Sequence, residues 1–173
     1  MKKRILSIIL MICSFVYFLF LLRIIIFKNG INSYAYNYNL HFFDFINQWN
    51  NRGIDMTLLV NVLGNIMLFV PLSIILLNYC KCLNSINIIF INFFTSLSFE
   101  LIQLSTGWGT FDVDDILLNT IGGIIGLIIY RLFNFKQNNF TSIIFLINFG
   151  IIGYISLYTY KPSLLLFFKD NMK

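Results

Sequence analysis

The chain has 173 residues, 58% of them hydrophobic and 11% charged, with twelve Lys or Arg against seven Asp or Glu and a net charge of +5. A soluble domain carries about 25% charged residues, so the composition excludes a soluble fold and points to one integral membrane domain, 1–173, of the all-α class. The basic residues sit mostly at the ends of apolar segments, where they orient a chain in the bilayer, and no nucleic-acid partner is expected.

Stretches of about 20 apolar residues, the length that crosses a bilayer, predict five spans at 5–27, 57–79, 86–104, 116–132 and 142–160. The first follows Lys2, Lys3 and Arg4; it is too long for a signal peptide and lacks a small-residue cleavage site, so it reads as an uncleaved anchor. Between the first two spans, Tyr34, Tyr36 and Tyr38 alternate as in an extended or interfacial segment. Phe42, Phe45, Ile46 and Trp49 then recur at helical spacing opposite Asp44, Asn47, Gln48 and Asn51, predicting a short amphipathic helix in the headgroup plane. That helix suits an aromatic belt or a lid equally. His41, at its start, is a candidate proton carrier or an incidental loop residue.

The second span carries Asn61, Gly64 and Asn65 on one predicted face and Pro71 near its middle, which would free a helical carbonyl. Cys13, Cys80 and Cys82 form neither a disulfide framework nor a plausible zinc site. By the positive-inside rule, Lys2–Arg4, Lys81, Arg131 and Lys136 put the amino terminus in the cytoplasm of a bacterial cell and the segments 28–56 and 105–115 outside; Lys161, Lys169 and Lys173 run against that pattern.

Four of the seven carboxylates lie between residues 100 and 115. A charged group at the centre of a membrane helix costs about 2.5–3.5 kcal/mol on insertion scales, so such groups mark functional sites. Glu100 and Gln103 share a face near the end of the third span. Asp112, Asp115 and Asn119 fall on one face of the fourth, with Asp114 expected to turn away, and the stripe continues as Gly122, Gly123 and Gly126. Gly122 and Gly126 form a Gly-x-x-x-Gly pair that admits a neighbouring helix backbone. Each feature taken alone suits a structural role: Asp112 as an N-cap, Asp115 as an acid complementing the helix dipole, the asparagines as interhelical hydrogen-bonders. Together they predict a polar pocket formed by Glu100, Gln103, Asp112, Asp115, Asn119, Asn61 and Asn65.

The run Asn61-Val62-Leu63-Gly64-Asn65 with Phe69-Val70-Pro71-Leu72, then Glu100-Leu101-Ile102-Gln103, then Asp112-Val113-Asp114-Asp115 continuing to Asn119 and Gly122-Gly123, resembles the VanZ-like membrane proteins over residues 37–133. Members often carry an arginine three residues before the first aspartate, where this chain has Gly109, and a proline where it has Phe42; Arg52 is a candidate to replace that arginine in space. The resemblance implies a polytopic bacterial envelope protein of a family in which some members contribute to resistance to teicoplanin and related lipidated glycopeptides. It also implies functional positions at Glu100, Gln103, Asp112, Asp115 and Asn119.

Three functions compete. An outward acidic pocket could bind a polar or cationic group of a membrane lipid, a glycopeptide or a lipid-linked cell-wall precursor. An enzyme acting on a lipid-linked envelope substrate could use the acids to hold Mg²⁺ or Mn²⁺, although no nucleophile–base pair or phosphate-cradling loop accompanies them. A scaffold could assemble through the glycine seam. The first is the expected function, with no catalytic residue assigned.

Overall fold

The structure, a computed structural model, describes residues 2–26, 37–53, 56–80, 82–107 and 109–132. Its elements are α1 (Lys2–Ile26), β1 (Asn37–Asn39), α2 (Asp44–Arg52), α3 (Met56–Tyr79), α4 (Ser85–Thr106), β2 (Thr110–Asp112) and α5 (Val113–Leu132). The predicted span at 142–160, Tyr34, Tyr36 and the side chain of Arg52 lie outside the described residues. Among the described residues, three helices are long and apolar enough to cross a membrane, at Leu58–Tyr79, Ser85–Thr106 and Val113–Leu132.

α5 is the hub, packed against α3 on one side and α4 on the other. Glycines make the first contact possible. A methyl group on Gly122 would strike the carbonyl of Ile66, and one on Gly126 would strike that of Val70. Two glycines four residues apart thus meet two carbonyls four residues apart, and α3 and α5 run parallel with backbones in near contact. Gly123 faces the other way, onto the side chain of Asn92 in α4.

This register fixes which side of α3 looks at α5. At about 100° per residue, Gly64 lies opposite Ile66, and it has open space beside it. The face predicted from Asn61, Gly64 and Asn65 is therefore corrected: Asn65 is buried, while Asn61 is exposed and Gly64 is not in the seam.

α1 packs across α3 and α4. Tyr17 and Leu21 pack with Leu68, Phe69, Leu72 and Phe99 in one buried cluster, and the Tyr17 hydroxyl donates to the Leu68 carbonyl. α3 continues through Pro71 without a break. Proline removes the N–H that would reach the Met67 carbonyl, and the Tyr17 hydroxyl reaches the next carbonyl, that of Leu68. α4 starts where Asn84 accepts the N–H of Asn87 at 2.9 Å and ends at Gly107, whose φ of 67° is the left-handed conformation glycine adopts freely. The chain then turns back through β2, which pairs in parallel with β1, Asn39 opposite Asp112.

Candidate functional site

The two strands, α2, the end of α4 and the start of α5 converge at one end of the bundle, where the acids among the described residues collect. Asp112 closes β2, and its Oδ1 accepts the N–H of Asp114 at 2.9 Å, which fixes the first turn of α5. Its other oxygen lies 3.4 Å from the amide of Asn39, which also reaches Asp44 at 3.5 Å. Glu100 is 1% exposed and its Oε2 accepts the N–H of Asp112 at 2.9 Å. α4 is thereby tied to β2, the strand that precedes α5. Asp44 is held by Gln48 one turn along α2, at 2.9 Å.

Asp114, expected to turn away from the Asp115–Asn119 stripe, is 4% exposed because α2 lies over it. One carboxylate oxygen accepts the N–H of Phe43 at 2.6 Å and the other that of Phe45 at 3.3 Å. These N–H groups belong to the start of α2, where helical donors have no partner of their own. No local side chain caps that helix, and Phe43 sits in a left-handed conformation, φ 61°. An acid from a helix some 70 residues away performs the capping and meets the positive end of the helix dipole. Only the angular position of Asp114 on α5 could be read from the sequence; the arrival of α2 above it could not.

Below this rim runs a buried polar column. Asp115, 4% exposed, accepts a hydrogen bond from the Asn65 amide of α3. One turn deeper, the Asn119 amide donates to Ser96 Oγ at 2.8 Å. Another turn down, Asn92 donates to Ser73 Oγ at 2.8 Å, and Ser73 donates to the Gly123 carbonyl at 2.8 Å. On α4 the stripe Asn92, Ser96, Glu100 repeats every fourth residue, and Phe99 and Gln103 are buried with it. Asn92, Ser96 and Ser73 were missed by the sequence reading, although the four-residue repeat leading to Glu100 was a readable signal.

The predicted site residues therefore separate. Glu100, Gln103, Asp115, Asn119 and Asn65 are buried on facing sides of the α3–α4–α5 seam, and Asp112 is half-buried at its mouth. Asn61 is exposed on α3 and outside that seam. His41 is exposed, and its backbone N–H donates to Asn39 Oδ1. Gly109, at the place of the expected arginine, is buried against Gln103. An added Cβ would lie 2.6 Å from Gln103 Oε1, so the glutamine fills the space a side chain there would need.

Among the described residues, no three His, Cys, Asp or Glu side chains come together as a set that could hold a metal ion. The scaffold alternative loses its proposed surface, because Gly122 and Gly126 are covered by the chain's own α3.

The geometry places the acidic motifs and the glycine seam in one three-helix unit, and the VanZ/LLP1 family model matches residues 8–134, from α1 to just past α5. The chain belongs to the VanZ/LLP1 family. A curated relative in this VanZ group, Protein VanZ from Enterococcus faecium, is 29% identical over 103 residues. That match covers 60% of this chain and 64% of the relative, so the likeness spans less than two thirds of that protein's length. No solved structure matches this VanZ-like chain.

Proposed function

We propose that this VanZ-like protein is a multi-pass protein of the bacterial cell membrane that lowers sensitivity to teicoplanin-type lipoglycopeptides through an acidic rim facing outward. The observation that carries the reading is the collection of Glu100, Asp112, Asp114 and Asp115, with Asp44 from α2, at one end of the bundle. Negative charge gathered beside apolar helices attracts the cationic or polar head of an amphiphile whose tail lies in the same leaflet.

The orientation follows from charge. Lys2, Lys3 and Arg4 lie at the start of α1, and Arg131 lies at the end of α5. The end of α5 is opposite the rim, and the positive-inside rule assigns it and the start of α1 to the cytoplasm. The rim then faces out, beside the leaflet in which a lipidated drug or a lipid-linked cell-wall precursor collects. The fuller account has five spans, with 142–160 as the last. α2 lies in the headgroup layer, where its exposed Ile46 and Trp49, with Phe42 just ahead of it, meet lipid.

The test is binding of a fluorescent lipoglycopeptide to the full-length protein in anionic-lipid nanodiscs. Saturable binding that weakens at least tenfold in Asp112→Asn supports the rim as the site. Binding equal in both proteins, or equal to empty nanodiscs, contradicts it.

A further inference from the structure

Asp114 latches a helix that little else holds to the bundle. Among the side chains of α2 that are described, Asp44, Phe45 and Gln48 are half-buried and the others are exposed. Its contact with α3 is slight. A second tie is the Asn39 amide, 3.5 Å from Asp44 and 3.4 Å from Asp112, at the far limit of hydrogen bonding. A segment with few buried apolar contacts opens at low free energy, ahead of the core it lies on.

Both ends of α2 are built as joints. Three described residues have left-handed φ, and two of them, Phe43 and Gly53, bracket this helix. Phe43, φ 61° and ψ 29°, holds a conformation that costs a non-glycine residue energy and persists only where its surroundings enforce it. One bond that enforces it is at the same residue, since the Phe43 N–H donates to Asp114. Gly53, φ 77° and ψ −178°, is in a region essentially reserved for glycine, and nothing lies within 4 Å of where its Cβ would be. Hinges are terminal residues of this kind, which absorb a change in backbone angles. The strain at Phe43 favours release, and the bonds to Asp114 oppose it.

What the helix covers is the carboxylate itself. Asp114 is 4% exposed, under Phe43 and Phe45. Lifting α2 would open that carboxylate to the membrane surface and part Asp44 from Asp112, which the Asn39 amide now joins. The helix need not unwind, because exposed Ile46 and Trp49 give it an apolar stripe that lipid holds once the latch is broken. We propose that α2 is a hinged lid over the acidic rim, latched by Asp114 and turning about Phe43 and Gly53, with a latched and a lifted position both populated in the membrane. The lid rests on the reading that α2 lies beside the headgroups, and not on which amphiphile the rim binds.

The experiment measures the distance between spin labels at Asn50→Cys on α2 and Ser105→Cys at the end of α4, both exposed positions. It uses the full-length protein with Cys13, Cys80 and Cys82 replaced by alanine, in nanodiscs of phosphatidylglycerol and phosphatidylcholine. This parent should give two distances, a major latched one and a minor lifted one. Asp114→Ala should move the population severalfold toward the lifted distance. Phe43→Gly relaxes the strain while keeping the N–H that Asp114 accepts, so it should move the population severalfold toward the latched one. One distance in the parent that Phe43→Gly leaves unchanged would overturn the proposal. So would a broad distribution in Asp114→Ala beside a single distance in the parent, the mark of a cap whose loss unwinds the helix. Should Asp114→Ala not accumulate in the membrane, Asp114→Asn and Phe43→Gly decide. The lipoglycopeptide takes no part in this measurement, so its failure to bind and the absence of a lid are separate results.

Discussion

Replacing Asp114 with Ala would strand the N–H groups of Phe43 and Phe45, the two backbone donors its carboxylate now satisfies. Losing a helix cap costs about 1–2 kcal/mol, and here the lost cap is also the link between α2 and the bundle. The expected outcome is faster amide hydrogen exchange across residues 44–52 with little change in α3 or α5. Uniform exchange in the variant and the parent would show that α2 is held by other means. Asp114→Asn keeps one acceptor oxygen and should fall between the two. Glu100 is a different case. Its Oε2 accepts the Asp112 N–H, a bond that the oxygen of a glutamine can also accept. Glu100→Gln should therefore reach normal membrane levels while losing the charge the rim supplies, and a drop in level to that of a misfolded protein would contradict this. At this scale the sequence was a partial guide. It marked Glu100 and Asp115 as costly and therefore purposeful, and both are buried. It turned Asp114 away from the stripe but did not show what it meets there, because the face of a helix can be computed from its own residues, whereas what arrives above that face depends on the rest of the chain.

Among the elements, α3 and α5 form the closest pair, and the prediction there concerns volume. A methyl on Gly122 would collide with the Ile66 carbonyl, which is backbone and cannot swing aside. Overpacking of this kind costs about 1–3 kcal/mol, so Gly122→Ala should lower the unfolding temperature. Gly64→Ala, with nothing within 4 Å of the added carbon, should be neutral or slightly stabilising because alanine favours the helix. Equal effects at the two positions would refute the register. Gly109 gives a third outcome. Its added Cβ would meet the end of a flexible glutamine, so Gly109→Ala should cost little, and less still in combination with Gln103→Ala. The long helices were legible from apolar length alone, since few other structures bury backbone in hydrocarbon. The β1–β2 pair was not, because each strand has three residues and Asn39 and Asp112 are 73 positions apart. A three-residue strand has no periodicity to detect. The Gly-x-x-x-Gly motif announced a close helix contact but could not name the partner, which is α3 of the same chain.

For the whole molecule, the account joins three facts: the apolar helices, membership of the VanZ/LLP1 family, and an acidic end held together by the chain's own backbone donors. The acids serve two purposes. They fasten the strands and α2 to the bundle, and in the proposed function they also give that end a negative field. A charge-neutralising variant separates these purposes where truncation would not. The most direct measurement is teicoplanin susceptibility in a sensitive host expressing the wild-type chain, Glu100→Gln or no copy, with membrane levels matched by immunoblot. The account predicts a raised inhibitory concentration with the wild-type chain and a return to the value of the empty host with Glu100→Gln. Undiminished protection by Glu100→Gln at equal membrane level, or no protection by the wild-type chain, would contradict it.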